Sequence, residues 1–289
     1  MLPPDLIQRP WRPFLKWPGG KFRLAAQIRA LLPKGERLIE PFVGAGAIFL
    51  NTQYSSYQLN DINPDLINLF KRLKQHQQDF IDYAKSFFKP QYNQAKAYYT
   101  LRHTFNRSQD PLERAVLFLF LNRHGFNGLC RFNLHGEYNV PFGAYLKPYF
   151  PEAELHYFMQ RIQSKVTFSC QSFSQVMANA TRQVSKRSVV IYCDPPYAPL
   201  SKTANFTGYA AHKFTLAHQQ ELAQAAERAA KQGATVLISN HDLPFTRALY
   251  HRATLFPIAV NRLISCQAHS RKPVRELMAL FLPDSQRRA

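Results

Sequence analysis

The sequence is poor in several features that would point to other classes of protein. It has 18 acidic residues against 37 Lys and Arg, which leaves a formal net charge of +19. Its four cysteines are scattered without a Cys-x-x-Cys pair, so we expect reduced thiols, with neither a disulfide framework nor a zinc site. The longest strongly apolar run, VLFLFL at 116–121, is far too short to cross a bilayer. Such a basic chain usually has a polyanion as its partner, the alternative being a basic but otherwise ordinary enzyme.

The amino-terminal residues MLPPDLIQRPWRPF carry prolines and charges where a signal peptide needs an apolar core. Together with the scattered thiols, this predicts a cytoplasmic protein that has no membrane partner. A chain of 289 residues with 46% hydrophobic content can bury one large α/β domain with an elaboration, or two modest domains.

Short apolar runs alternate with helical patterns in two blocks of the chain, residues 1–75 and 151–289. This alternation predicts a Rossmann-like α/β fold with a doubly wound, mostly parallel sheet. Residues 76–150 interrupt it with helical patterns followed by the Gly- and Asn-rich stretch HGFNGLCRFNLHGEYNVPFG, which predicts a β-hairpin at about 124–146 on a helical base. The predicted strands lie at 37–42, 57–61, 166–169, 188–193, 234–240 and 276–282.

Two of these strands end in features typical of a cofactor site. EPFVGAGAIF places Gly44 and Gly46 in a tight turn after the first strand, where the backbone can approach a ligand; the alternative is a close helix–strand packing turn. Asp61 ends the second strand, where an acidic residue commonly binds ribose hydroxyls; the alternative is a helix N-cap, a role open to Asn63 as well. The full Gly-x-Gly-x-x-Gly of dinucleotide sites is missing, so S-adenosylmethionine fits better than a pyrophosphate cofactor.

The stretch VVIYCDPPYAP (189–199) ends a buried strand on Asp-Pro-Pro-Tyr. Because proline restricts its own φ and the preceding residue, the Asp194 carboxylate and the Pro195 carbonyl are held in fixed directions. Two such acceptors match the two N–H groups of an exocyclic base amine, and Tyr197 offers a face for the ring to stack on. Acceptors placed for a tetrahedral nitrogen favour the transition state over the planar amine. The alternative is a rigid strand-to-loop turn.

Three stretches, FLKWPGGK (14–21), IEPFVGAGAIFLN (39–51) and YCDPPYAP (192–199), in this order, resemble the α-group of amino-methyltransferases that act on adenine in DNA. With LNRHGFNGLCRFN, GEYNVPFG, KPYFPEAEL, TANFTGY and LISNHD, the resemblance covers nearly the whole chain and is to the Dam family, which methylates N6 of adenine in GATC. It implies a catalytic domain at 1–75 and 151–289 and a target-recognition domain at 76–150. It also implies double-stranded DNA as the partner, S-adenosylmethionine as the only cofactor with no metal, and a cytoplasmic, nucleoid-associated monomer encoded by a bacterium or phage.

The resemblance also implies roles for individual residues. The catalytic positions are Asp194, Pro195, Pro196 and Tyr197. The cofactor-binding positions are Trp17, Lys21, Phe42, Gly44, Gly46, Asp61, Ile62, Phe173 and Asp194.

The hairpin matches the element of this family that reads the DNA. Phe126 would wedge into the duplex beside the flipped adenine, Leu129 would touch a thymine methyl, and Arg131 would present a bidentate fork to a guanine. The alternatives are a core phenylalanine, a packed leucine and a phosphate-binding arginine. Lys16 would contact the first guanine. The other implied DNA contacts are Arg123, Asn127, Asn133, Asn139, Pro141, Tyr145 and Lys147.

Two departures from the family pattern lie in this region. Phe126 replaces a frequent tyrosine, and Ala144 replaces a basic residue, which puts one backbone contact in doubt. Three other functions remain open. The first is N4-cytosine methylation, although Asp rather than Ser or Asn at position 194 favours adenine. The others are a catalytically silent DNA-binding relative and a glutamine methyltransferase.

Overall fold

A seven-stranded sheet runs through the part of the protein that the computed structural model describes, residues 10–163, 165–182, 188–199, 214–260 and 274–284. Its strands are β1 (Arg37–Glu40), β2 (Ser56–Asn60), β3 (Lys165–Ser169), β4 (Val189–Cys193), β5 (Thr235–His241), β6 (Thr254–Val260) and β7 (Val274–Phe281). The α-helices are α1 (Ala25–Leu31), α2 (Ala47–Leu50), α3 (Pro64–Ser86), α4 (Ala95–Arg107), α5 (Pro111–His124), α6 (Glu152–Ile162), α7 (Phe173–Thr181), α8 (Leu216–Lys231) and α9 (Pro244–Leu249). Short 3-10 turns lie at Lys21–Leu24, Pro90–Tyr92 and Phe126–Gly128.

The strand order is β3-β2-β1-β4-β5-β7-β6. Strands β1 to β5 are parallel to one another, while β7 runs antiparallel to both β5 and β6. The winding reverses between β1 and β4, and ligands bind outside the carboxyl ends of the strands at such a switch point. The predicted doubly wound, mostly parallel α/β sheet is therefore confirmed. Its topology places the expected site just after Glu40 and Cys193.

Helices cover both faces of the sheet, as buried parallel strands require. Alternate side chains of β4 belong to different hydrophobic clusters: Val190 and Tyr192 lie with α3, α5 and α6, whereas Val189, Ile191 and Cys193 lie with α7 and α8. Because β4 is buried on both faces, its residues form a continuous apolar run that stops at the first polar position, Asp194.

The end of the sheet differs from the predicted pattern. The sequence does not predict β6, because Pro257 lies within TLFPIAV and proline lacks the N–H that a sheet ladder needs. The structure places β6 at the sheet edge, where a missing donor is tolerated. Residues 197–214 show no clear periodicity, which predicts a loop; most of this stretch lies outside the described residues, which stop at 199 and resume at 214.

The predicted insertion begins inside a helix. The helix α3 continues to Ser86, past the predicted boundary at 75, and is kinked at Gln77, where φ is 49° and ψ is −116°. In α5 every residue from Ala115 to His124 is buried, which explains the VLFLFL run. The buried cluster that includes α4 and α5 also includes residues of β1 and β2. The insertion thus shares a hydrophobic core with the sheet.

No helix in the described part of the chain is both long and apolar enough to cross a membrane.

Candidate active site

The glycine loop after β1 is folded tightly against the FLKWPGGK segment (14–21). Gly44 and Gly46 have φ values of +49° and +78°, a region that residues with a Cβ rarely adopt. A Cβ added to Gly44 would lie 2.8 Å from Nε1 of Trp17, so the indole packs directly on the loop backbone. Gly44 and Trp17 therefore fit together only because position 44 has no side chain.

Asp61 connects this loop to the end of β2. Its Oδ2 accepts a hydrogen bond from the Gly44 N–H at 3.1 Å, and its Oδ1 accepts from the Asn63 N–H at 3.0 Å. Burial raises the pKa of Asp61 to about 6, although these backbone hydrogen bonds oppose the shift. The N-cap of α3 is Asn63, whose side chain accepts from the N–H groups of Asp65 and Leu66. The helix therefore does not depend on Asp61 for its cap.

Three aromatic rings form a cluster that includes Phe42, which lies just before the glycine loop in the chain. The rings of Phe42 and Phe173 stack with centroids 5.5 Å apart, and Phe214 contacts both. Phe173 is the first residue of α7, which begins with a capping box between Ser172 and Gln175. Ile62, after β2, is 49% exposed. These side chains offer apolar surface beside Gly44 and Asp61.

The Asp-Pro-Pro-Tyr tetrapeptide follows β4 and is held by side chains from distant elements. Oδ1 of Asp194 accepts from Ser239 Oγ at 2.9 Å and forms an ion pair with Lys21 Nζ, also at 2.9 Å. The Lys21 ammonium lies 4.4 Å from the centroid of the Tyr197 ring. Asp194, Lys21 and Tyr197, all predicted site residues, thus come together at one point.

The two proline carbonyls of the tetrapeptide differ in their contacts. The Pro196 carbonyl accepts from Nε2 of the buried Gln219 at 2.8 Å. Gln219 in turn accepts from Nδ2 of Asn240, whose Oδ1 accepts from the Ala198 N–H at 3.0 Å. No donor from the described residues contacts the Pro195 carbonyl. The chain therefore fixes the turn through Pro196 and leaves the Pro195 oxygen available.

Glu40, the last residue of β1, is a site residue that our sequence reasoning missed. It is 2% exposed, and its Oε1 has no hydrogen-bond partner among the described residues. Burial and the nearby charge of Asp194 raise the pKa of Glu40 well above its ordinary range, against a backbone hydrogen bond from Phe49. A buried carboxyl oxygen without a donor is costly. Its position beside Asp194 suits a positively charged donor from a ligand.

The predicted hairpin forms an arm, residues 124–146, but not a regular β-ladder. Its two sides meet in isolated antiparallel bridges, Gly125 with Phe142 and Phe132 with Tyr138. At the base of the arm, Asn127 and Gly128 have φ values of +52° and +62°, which interrupt the extended conformation that a ladder requires. The two sides of the arm therefore pair antiparallel at two isolated positions, without the continuous strands of a regular hairpin.

Most predicted DNA contacts lie on this arm with their side chains accessible. Phe126 is 48% exposed, Leu129 is partly buried, and Arg131 is exposed. Nε of Arg131 donates to Oδ1 of Asn139 at 2.7 Å, and Nη2 donates to the Asn139 carbonyl at 3.2 Å. Asn133 closes the tip of the arm, where its Oδ1 accepts from the N–H groups of His135 and Glu137. Asn139 and Asn133 therefore organise the arm itself.

Lys16 lies next to the base of the arm. Its stem passes so close to Gly128 that a Cβ there would meet the Lys16 Cβ at 2.3 Å. Its ammonium lies 4.2 Å from the centroid of the Tyr145 ring, and the Tyr145 hydroxyl accepts from the Asn127 N–H at 2.8 Å. Burial and the charge of Arg123 lower the pKa of Lys16. Two other predicted DNA contacts, Pro141 on the arm and Lys147 just after it, are exposed.

Arg123 does not fit its predicted role. It is 9% exposed, and its guanidinium donates to the Tyr149 carbonyl at 3.0 Å and to the Phe14 carbonyl at 3.5 Å. The reason is its place on α5, a helix buried on all sides in this turn. Its guanidinium is therefore engaged inside the protein.

No group of three potential metal ligands occurs among the described residues, and Cys130, Cys170 and Cys193 are free thiols. The fold and the site are those of an α/β enzyme of the methyltransferase type, with a glycine loop and an acidic residue beside the rigid Asp-Pro-Pro-Tyr turn.

Comparisons with known proteins agree with this class. The family described as D12 class N6 adenine-specific DNA methyltransferase matches residues 17–264. The chain is 53% identical over 272 residues to DNA adenine methylase of Escherichia coli (strain K12), covering 94% of this chain and 96% of that protein. It is 52% identical to DNA adenine methylase of Salmonella typhi, with the same coverage of both chains. With the same protein of Vibrio cholerae serotype O1 it shares 51% identity over 273 residues, covering 94% of this chain and 96% of that protein.

The chain therefore belongs to the D12 class of N6 adenine-specific DNA methyltransferases. This confirms the predicted enzyme and its action on adenine in DNA. It favours adenine N6 over the cytosine and glutamine alternatives.

Proposed function

We propose that this enzyme transfers the methyl group of S-adenosylmethionine to N6 of an adenine flipped out of double-stranded DNA, within the sequence GATC. The observation that carries the proposal is the pair of acceptors after β4. The Asp194 carboxylate is held by Ser239, and the Pro195 carbonyl has no donor from the described residues. Both acceptors follow β4, and the glycine loop follows β1, the parallel strand next to β4, so the acceptors and the loop lie at the same edge of the sheet.

The residues around this loop fit S-adenosylmethionine. The unpartnered Glu40 oxygen suits an ammonium group, Asp61 suits ribose hydroxyls, and the rings of Phe42 and Phe173 suit the faces of an adenine. Trp17, Lys21, Gly44, Gly46 and Ile62 complete the proposed cofactor-binding set. When bound, the cofactor supplies an electrophilic methyl on a positively charged sulfur.

The tetrapeptide prepares the adenine amine for attack. Asp194 and the Pro195 carbonyl would each accept one N6–H, which favours a tetrahedral nitrogen with its lone pair directed at the methyl. Methyl transfer would form the new N–C bond and place the positive charge on N6, between Asp194 and the Pro195 carbonyl, while the departing thioether would retain the electron pair of the S–C bond. N6 then loses a proton to the Asp194 carboxylate or to water. Tyr197 would stack on the adenine, while Pro196 keeps the turn rigid through Gln219.

The arm is the proposed reader of the DNA. The exposed Phe126 would fill the space left by the flipped base, and Leu129 would contact a thymine methyl. Asn139 accepts hydrogen bonds from the Nε side of the Arg131 guanidinium. The Nη1 side of the Arg131 guanidinium can therefore donate to O6 and N7 of a guanine. Lys16 would contact the first guanine. Asn127, Pro141, Tyr145 and Lys147 are further proposed contacts, whereas the bonds within the arm make Asn133 and Asn139 indirect contributors.

We further propose that residues 1–75 and 151–289 act as the catalytic domain and 76–150 as the target-recognition domain, in a cytoplasmic, monomeric enzyme. The experiment that tests the proposed function is methyl transfer from labelled S-adenosylmethionine to two matched duplexes. One contains a single GATC, and the other has its adenine moved out of that context. We expect label in the first alone, recovered as N6-methyladenine. Label in both would refute the proposed readout by Leu129 and Arg131, and no label in either would refute the donor or the target.

A further inference from the structure

The Asp-Pro-Pro-Tyr tetrapeptide makes one contact, through Tyr197, that the proposed methyl transfer does not use. The Tyr197 hydroxyl donates a hydrogen bond to Oε2 of Glu276 at 2.7 Å. Glu276 lies on β7, the antiparallel strand, opposite His241 of β5. Seventy-nine positions separate the two partners in the chain, so the sheet topology alone brings this carboxylate to the base-stacking ring.

The Tyr197 ring is held on several sides. The His241 ring meets it edge-on with centroids 4.8 Å apart, and the Lys21 ammonium lies 4.4 Å from its centroid. The Lys21 ammonium is also 2.9 Å from Asp194 Oδ1, so a positive charge at this point contacts the ring and the carboxylate together. Burial, then the charges of Asp194 and Glu276, raise the pKa of Tyr197 well above its ordinary range. The hydroxyl therefore remains a donor to the carboxylate at neutral pH.

We propose that Glu276 is a positioning residue for methyl transfer, which acts through Tyr197 by fixing its ring and by increasing the attraction of the ring for positive charge. A phenol that donates to a carboxylate gains electron density, and a richer ring binds a cation more strongly. In the proposed reaction the adenine is neutral before transfer and carries positive charge on N6 during it. The stacking partner therefore stabilises the transition state more than the bound substrate. This inference rests on the proposed function.

The test compares Glu276→Gln, Tyr197→Phe and the double variant with the wild type. Gln keeps the size and an acceptor for the hydroxyl but removes the charge, while Phe keeps the ring and removes the donor. Glu227→Gln is the matched control, because Glu227 is a partly exposed carboxylate on α8 whose ion-pair partner is Arg252, at 3.6 Å. The readouts are kcat and KM on a GATC duplex, together with the affinities for sinefungin and S-adenosylhomocysteine. Sinefungin carries an ammonium in place of the charged methyl–sulfur group, and S-adenosylhomocysteine carries no charge there.

We expect Glu276→Gln to lower kcat by about three- to tenfold, the range of a cation–π contact, with an unchanged KM for DNA. The preference for sinefungin over S-adenosylhomocysteine should fall by a similar factor. Tyr197→Phe should show the same loss of preference, and adding Glu276→Gln to it should change nothing more. Glu227→Gln should match the wild type.

An equal effect of Glu276→Gln in the Tyr197 and Tyr197→Phe backgrounds would overturn the proposal, because Glu276 would then act through another group. An unchanged ligand preference would overturn it as well. If Glu276→Gln does not fold, Tyr197→Phe alone still decides, since an intact sinefungin preference there contradicts the proposal. A wild type without methyl transfer to GATC would refute the proposed function instead, so the two failures are distinguishable.

Discussion

Replacing a glycine of the glycine loop tests whether the packing of Trp17 on the loop backbone matters for the proposed binding of S-adenosylmethionine. Gly44→Ala introduces a Cβ at a φ of +49°, 2.8 Å from Nε1 and 2.9 Å from Cδ1 of the Trp17 indole. Gly136→Ala is a matched control at the tip of the arm: its φ is +75°, and a Cβ there would meet nothing within 4 Å. Both variants carry the backbone cost of a left-handed residue, about 1–2 kcal/mol. Only Gly44→Ala also displaces a side chain.

Overpacking of this kind costs about 1–3 kcal/mol. We therefore expect urea denaturation to give a free energy of unfolding lower by about 2–5 kcal/mol for Gly44→Ala, but by only about 1–2 kcal/mol for Gly136→Ala. Titration calorimetry with S-adenosylmethionine should show an affinity at least about tenfold weaker for Gly44→Ala, if about 1.4 kcal/mol of the displacement appears in binding. Gly136→Ala should bind the cofactor as the wild type does. Equal stability losses with equal cofactor affinities would refute the assigned contact between Gly44 and Trp17.

Three further predictions concern the base, the DNA and the cofactor. Asp194→Ala should abolish methyl transfer and leave duplex binding largely intact; a variant that fails to fold would make the carboxylate structural. Arg131→Ala should lower discrimination at one guanine by about 1–3 kcal/mol, measured on single-substituted duplexes, and a uniform loss on all sequences would identify a phosphate contact. Since burial raises the pKa of Asp61 to about 6, the carboxylate is protonated below that pH, and the affinity for S-adenosylmethionine should fall as the pH drops through about 6. In Asp61→Asn this step should vanish, and a step that persists would belong to another group.

Local patterns were sufficient to predict the strand ends that form the site. One is the β-branched run that stops at Asp194, and the other is the pair of glycines that follows β1. Each pattern extends over only a few residues, so periodicity and turn chemistry locate it. The polar residues that hold Asp-Pro-Pro-Tyr could not be found this way. Gln219 lies 23 residues after Pro196, and Glu276 lies 79 after Tyr197. Their residue types carry no signal until the sheet order is known.

The arm illustrates a second limit. Its Gly and Asn content predicts turns and its alternation predicts strands, but regular pairing depends on backbone angles. Positive φ at Asn127 and Gly128 interrupts the extended conformation near the base, and the two sides of the arm pair only in isolated bridges. Glu40 was overlooked for a different reason: a carboxyl at the end of a buried strand resembles an ordinary polar boundary until its missing hydrogen-bond partner is seen.

The buried Asn122 has a consequence for protein engineering. Its Oδ1 accepts from the Lys16 N–H, and its Nδ2 donates to the carbonyls of Lys16 and Gly128. The Asn122 amide thereby connects the arm to Lys16. The residue after Lys16, Trp17, packs on the glycine loop. An arm transplanted from a relative would need Asn122, Lys16 and the glycine at 128 to keep these contacts. The proposed reader of the DNA and the proposed cofactor loop are thus joined through one side chain, so attempts to alter either function should measure both.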